Sequence, residues 1–165
     1  IETAVELTEG RVSGQEVKQI IDLGRSMLTA PVELIDGVRE AVEQLSRDYK
    51  LALLSKGDLF DQETKLARSG LGELFSHVEI VSEKNAVTYL AVMKRRGVEP
   101  SRFLMVGNSL RSDVLPVLEA GGAAVHVPYP LTCEEVPEDA LADKHFARLQ
   151  HIRELSEWLG TQAGK

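Results

Sequence analysis

Cys133 is the only cysteine in 165 residues, so no internal disulfide can form and a cystine-stapled fold is excluded. No apolar run approaches the length of a membrane span, and no signal-peptide pattern is present. These absences fit a soluble protein of a reducing, cytoplasmic compartment. An excess of positive charge is missing too. The net charge is −7 and the pI about 5.2, against the basic face that nucleic-acid binders carry. The four histidines, His77, His126, His145 and His151, show no zinc spacing, and one cysteine cannot complete a structural zinc site. Repeats and low-complexity segments are absent as well.

What remains is an ordinary globular composition, enough for one core and a small appendage. From Gly14 to Leu28, apolar residues fall at Val17, Ile20, Ile21, Met27 and Leu28, which is helical spacing. Pro31 disfavours a helical residue before it and closes that unit. Residues 1–32 are therefore expected to form an appended helical piece, and 33–165 the main domain.

The main domain alternates in type. Helices are expected over Gly37–Asp48, Asp58–Arg68, Asn85–Arg96 (Ala86, Tyr89, Leu90 and Met93 inward), Ser112–Ala120 and Ile152–Leu159. Strands are expected over Leu51–Leu54, His77–Val81, Phe103–Val106 and Ala123–Val127. A loop rich in Pro and Glu runs from Pro128 to Asp139. Met93 and Trp158 are expected in the core. Strands alternating with helices imply parallel crossovers and a doubly wound, Rossmann-like α/β sheet. Ligands of such sheets bind beyond the carboxyl ends of the strands.

Three polar groups fall at such ends. Ser55 follows one strand, and its hydroxyl can hydrogen-bond a phosphoryl oxygen. Taken alone, Ser55-Lys-Gly-Asp58 reads better as a plain turn. The flanking pattern of a serine hydrolase is absent. Lys84 lies just past a second strand, where a fixed ammonium can offset charge on a phosphorylated group. Exposed lysines at helix starts are common, so position carries that reading. Gly107 ends a third strand, and the segment Gly107-Asn-Ser-Leu-Arg-Ser-Asp113 follows. Glycine admits a close approach, and Asp113 and Asn108 offer oxygen to Mg²⁺, which needs only one or two protein carboxylates beside phosphate and water. An acid in the first turn of a helix also answers the helix dipole, so the metal and the structural readings of Asp113 can coexist. His126, at a strand end, is read as structural.

Together, Leu53-Leu-Ser-Lys-Gly-Asp58, Val81-Ser-Glu-Lys-Asn85 and Val106–Asp113 resemble the second, third and fourth motifs of the haloacid dehalogenase-like (HAD) hydrolases. The resemblance runs from about Leu34 to Pro130 and is nearest to a bacterial, helically capped phosphatase branch. It implies an aspartate that attacks a phosphomonoester, an aspartyl-phosphate intermediate, a second aspartate as acid and base, and Mg²⁺. It further implies that Ser55, with Lys56 and Gly57, holds the phosphoryl group, that Lys84 balances charge, and that Asp113 and Asn108 serve the metal. The substrate would be a small phosphorylated metabolite. Many relatives carry aspartate where this chain has Asn108, which lowers the charge around the ion.

The first motif departs further, for no Asp-x-Asp lies upstream of Ser55. In the family that motif ends the central strand, between the strands at 51–54 and 103–106. Those strands are expected to face a gap about one strand wide, roughly 5 Å on each side. The chain, which starts at Ile1, is accordingly expected to be part of a longer protein whose preceding segment supplies the nucleophile and the rest of the cap, and to be inactive alone. The residues leave two other readings open: a metal-independent dehalogenase of the same fold, and a non-catalytic binding domain. A receiver-like phosphoryl acceptor ranks below both, because no acidic cluster marks an early strand end.

Overall fold

The computed structural model describes residues 1–132, 136, 138–141 and 146–162. Cys133, His145 and part of the loop expected over 128–139 lie outside the described residues. The chain divides into two compact units, Ile1–Glu33 and Leu34–Lys165.

The first unit holds α1 (Glu2–Leu7) and α2 (Gly14–Thr29). A capping box starts α2. Ser13 Oγ accepts the Glu16 N–H at 3.2 Å, and the Glu16 carboxylate accepts the Ser13 N–H at 2.7 Å. The Ser13 N–H and then its hydroxyl, both donating to the Glu16 carboxylate, hold that carboxyl below its ordinary value. No residue of either helix is buried, and Leu23, Met27 and Leu28 remain exposed.

In the second unit, helices alternate with strands in the order α3 (Val38–Asp48), β1 (Ala52–Lys56), α4 (Leu59–Ser69), β2 (His77–Val81), α5 (Ala86–Arg96) and β3 (Leu104–Gly107). Then come a π turn (Leu110–Val114), α6 (Leu115–Glu119), β4 (Ala123–His126), α7 (Glu138–Leu141), β5 (Ala147–Arg148) and α8 (Leu155–Gln162). Local chemistry sets the breaks. The Asp58 carboxylate caps α4 by accepting the Asp61 N–H, and Gly70 stops that helix in a left-handed conformation. Asn85 opens α5 in the same way, accepting the Thr88 N–H at 2.9 Å.

Every strand pair is parallel: β1 with β2, β3 with β4, and β4 with β5. The architecture is the α/β parallel-sheet type that the alternation implies. Among the described residues the strands form two sheets, β1–β2 and β3–β4–β5, and no backbone ladder joins β1 to β3.

Alternation along β3 and β4 builds two cores. Met105 and Ala124 face a cluster with Tyr89, Val92 and Met93 of α5 and Val117 of α6. Leu104, Val106 and Val125 face the other side, against Leu45 of α3 and Leu155 and Trp158 of α8. Period-two side chains buried on both faces are the mark of a doubly covered parallel sheet.

Several details differ from the sequence reading. β1 continues through Ser55 and Lys56, because β2 is long enough to pair them with Ile80 and Val81. Leu90 points outward and Val92 inward, since the buried stripe of α5 runs through Tyr89, Val92 and Met93. The helix expected over 112–120 starts as a π turn two residues earlier. β5 is two residues long, too short to carry a periodic signal.

Candidate active site

Gly107 ends β3, and the chain turns at once into Leu110–Val114. Ser109 caps the turn, its Oγ accepting the Ser112 N–H at 2.8 Å. The Ser109 carbonyl accepts from Asp113 at 2.9 Å and from Val114, five residues on, at 3.2 Å. That second bond widens the first turn into a π turn. The Asp113 side chain is thereby carried back over the strand end. Its Oδ2 accepts the Ser109 N–H at 3.0 Å, and its Oδ1 accepts from Lys84 Nζ at 2.7 Å.

Lys84 comes from the loop between β2 and α5. Its side chain is 12% exposed and that of Asp113 is 5% exposed. A pair so shielded attracts more strongly than one on the surface, and losing either partner strands a buried charge. Gly107 makes the approach possible. A Cβ on that residue would lie 2.6 Å from the Asp113 Cβ and would overlap the carboxylate itself.

The other expected site residues are placed as follows. Ser55, half-buried at the end of β1, donates its hydroxyl to Gln62 Oε1 at 2.6 Å. Lys56 is exposed, with Nζ 3.5 Å from Glu83, the residue before Lys84. Gly57 donates its N–H to the Val81 carbonyl at 3.2 Å, tying the β1 end to the β2 end. Asn108 donates through Nδ2 to Thr132 Oγ1 at 2.5 Å, and its backbone carbonyl lies 3.0 Å from His126 Nε2. The structure thus puts Lys84 and Asp113 in direct contact. Ser55 and Asn108 are each turned to a neighbour.

Gln62, Tyr89 and Thr132 carry no site role in the sequence reading. Gln62 and Thr132 hold side chains at the strand ends. The Tyr89 hydroxyl donates to the Ser112 carbonyl, inside the turn that presents Asp113, at 2.9 Å. Only Gln62, in the first turn of the helix that Asp58 caps, had a position that could have flagged it.

Among the described residues no three His, Cys, Asp or Glu side chains gather to hold a metal. A carboxylate offers about four lone-pair positions, so Asp113 can accept beyond its two present bonds. One such carboxylate suits Mg²⁺, which keeps several waters and takes few protein ligands. Asn108 turns its amide nitrogen to Thr132, so its oxygen is the end that a cation would meet. Beside Gly107 and Asn108 lies a cavity of about 660 Å³, walled by Ile35, Val38, Val127 and Tyr129 among others.

The sequence profile of the haloacid dehalogenase-like hydrolases matches residues 5–121. The chain belongs to the haloacid dehalogenase-like hydrolase family. A HAD-like family hydrolase of Xanthomonas campestris, known from its crystal structure, is 42% identical to it. The alignment covers 99% of this chain and 71% of that one, with a TM-score of 0.85. The glyceraldehyde 3-phosphate phosphatase of Methanothermobacter thermautotrophicus is 33% identical over 96 residues, or 55% of this chain. This chain spans 42% of the length of that curated relative. A HAD hydrolase of Bacillus subtilis, crystallised with magnesium, shares the fold at 20% identity and a TM-score of 0.73, covering 93% of this chain and 67% of that one. Among the described residues of this HAD-like chain, no helix is long and apolar enough to cross a membrane.

Proposed function

We propose that this chain forms part of a Mg²⁺-dependent phosphomonoester hydrolase acting on a small phosphorylated metabolite. The observation that carries the reading is the buried contact of Lys84 with Asp113 at the carboxyl ends of parallel strands, beside a glycine with no room for a side chain. The phosphatase name of the curated relative supports the choice of a phosphate ester. Mg²⁺, when bound, supplies a Lewis acid that neutralises charge on the phosphoryl oxygens.

The chain's own residues then take these roles. Asp113 orients the ion, with Asn108 as a second oxygen donor. Lys84 holds Asp113 and offsets charge gathering on the phosphoryl group. Ser55 hydrogen-bonds a phosphoryl oxygen at the end of β1, helped by Lys56 and the Gly57 backbone. The attacking aspartate comes from polypeptide outside these 165 residues. Its natural seat is a strand between β1 and β3, each of which ends a separate sheet. Residues 1–32 form part of a helical cap under this reading, and 33–165 the core. The work is placed in the cytoplasm, in keeping with the single cysteine.

The test is phosphate release from a panel of small phosphate esters, with and without Mg²⁺. It compares the chain alone with a longer product of its reading frame. The longer product is expected to be active only with Mg²⁺, to lose that activity on Asp113→Ala, and to need more Mg²⁺ on Asn108→Ala. The chain alone is expected to be inactive. Mg²⁺-dependent turnover by the 165 residues alone would sink the external nucleophile. Chelator-resistant halide release would favour a dehalogenase instead.

A further inference from the structure

Tyr89 is fully buried, and its ring meets Phe103 edge-on with centroids 6.1 Å apart. A phenylalanine would fill that space. The hydroxyl is there for another reason, and Pro116 supplies it. In a regular helix the Ser112 carbonyl would accept from residue 116. Proline has no N–H, and its ring crowds the carbonyl four residues back. The chain widens into a π turn at this place, and the Tyr89 hydroxyl gives the Ser112 carbonyl its donor at 2.9 Å. Burial, with the Asp113 charge adding to it, pushes this hydroxyl well above its ordinary value of 10.0, so it stays a donor at any working pH.

Both halves of the buried ion pair are therefore tied to one helix. Lys84 stands immediately before Asn85, the cap of α5. Asp113 follows Ser112, which Tyr89 of α5 grips. We propose that Tyr89 is a positioning residue: through the Ser112 carbonyl it fixes the π turn that presents Asp113 to Lys84. The consequence for metal binding rests on the role given to Asp113 above; the geometric claim does not.

The experiment compares the 165-residue chain with its Tyr89→Phe and Val92→Ala variants by NMR. Val92 is a buried, wholly apolar neighbour on the same helix, so its truncation loosens the core that helix and turn share without removing a hydrogen bond from the turn. Two signals are followed: exchange of the Lys84 ammonium protons with water, and the shifts of the Ser109 and Asp113 amides on addition of MgCl₂. Losing one buried hydrogen bond in Tyr89→Phe is expected to speed ammonium exchange about tenfold and to weaken Mg²⁺ binding roughly threefold to tenfold. Val92→Ala is expected to leave both unchanged. Equal behaviour of Tyr89→Phe and the parent chain overturns the proposal, and so does an equal effect of Val92→Ala.

If Mg²⁺ moves neither amide in the parent chain, ammonium exchange alone decides the role of Tyr89, and the metal role of Asp113 is decided by the longer product. If Tyr89→Phe does not fold, the hydroxyl proton of the parent protein decides it. A resolved, slowly exchanging signal supports the clamp, and exchange at the rate of a solvated tyrosine refutes it.

Discussion

Gly107 and Asp113 are packed so closely that the carboxylate fills the space where a side chain on residue 107 would begin. Asp113 is held there from two sides, by the Ser109 N–H and by Lys84 Nζ. A carboxylate pushed off residue 107 must stretch or give up both bonds. Gly107→Ala is therefore expected to expel the carboxylate and to destabilise the second unit by about 1–3 kcal/mol, the range for overpacking. Gly24→Ala is the control. Gly24 lies within α2 with nothing within 4 Å of its added Cβ. It is expected to raise helicity by about 1 kcal/mol of propensity. Urea unfolding and far-UV circular dichroism of both variants check the contrast.

The ion pair itself predicts a non-additive result. Lys84→Met leaves Asp113 buried without its cation, and Asp113→Leu leaves Lys84 without its anion. Each single change is expected to cost about 3–5 kcal/mol, the range for a broken buried pair. The double variant strands no charge at this contact. Its loss should fall short of the sum of the singles by about 1–3 kcal/mol. Strict additivity in denaturant unfolding would show that the two groups are not coupled as their 2.7 Å separation implies.

Most of this architecture was legible in the chain, and the parts that were not share a cause. Asp58, Asn85, Gly70 and Gly97 mark helix ends by chemistry confined to a few neighbours, so α4 and α5 could be read to within a residue. His77–Val81, rich in β-branched residues and bounded by serines, is read in full. The π turn was missed because it depends on a partner 23 residues away, the Tyr89 hydroxyl, and on what Pro116 withholds. At the site, the residue types could be read but their pairing could not. Nothing local says that Lys84 meets Asp113 across 29 positions, or that Ser55 is engaged by Gln62 and Asn108 by Thr132.

Away from the site, Glu79 on β2 predicts a pH dependence. Burial alone would raise its carboxyl, but hydrogen bonds and charge from Arg95 and Arg96 outweigh that and hold it below 4.5. A depressed carboxyl stabilises the fold fully above its ordinary value. That contribution is lost as pH falls below 4.5 through the folded value. Glu79→Gln removes the charge at every pH. The urea midpoint of the parent chain is expected to exceed that of Glu79→Gln at neutral pH, and the two should converge in acid. A constant gap across the titration would place the stabilisation elsewhere.

Ser55 has one hydroxyl proton, and Gln62 holds it at 2.6 Å. The Gln62 amide cannot simply turn over. Its Nε2 donates to Asp61 Oδ2 at 3.0 Å, and a flip would set its oxygen against that carboxylate. A phosphoryl oxygen arriving at the β1 end must therefore compete with Gln62 for the proton it needs. Gln62→Met keeps the length of the side chain and removes the acceptor. Inorganic phosphate is expected to bind this variant more tightly than the parent chain by about threefold to tenfold, the equivalent of one released hydrogen bond. Ser55→Ala in the same background should erase the gain, because no hydroxyl remains to be freed. Isothermal titration with phosphate, run on the parent, the single variant and the double, reads both steps. A gain that persists without Ser55 would mean that Gln62 hinders the anion by bulk and not by holding the proton.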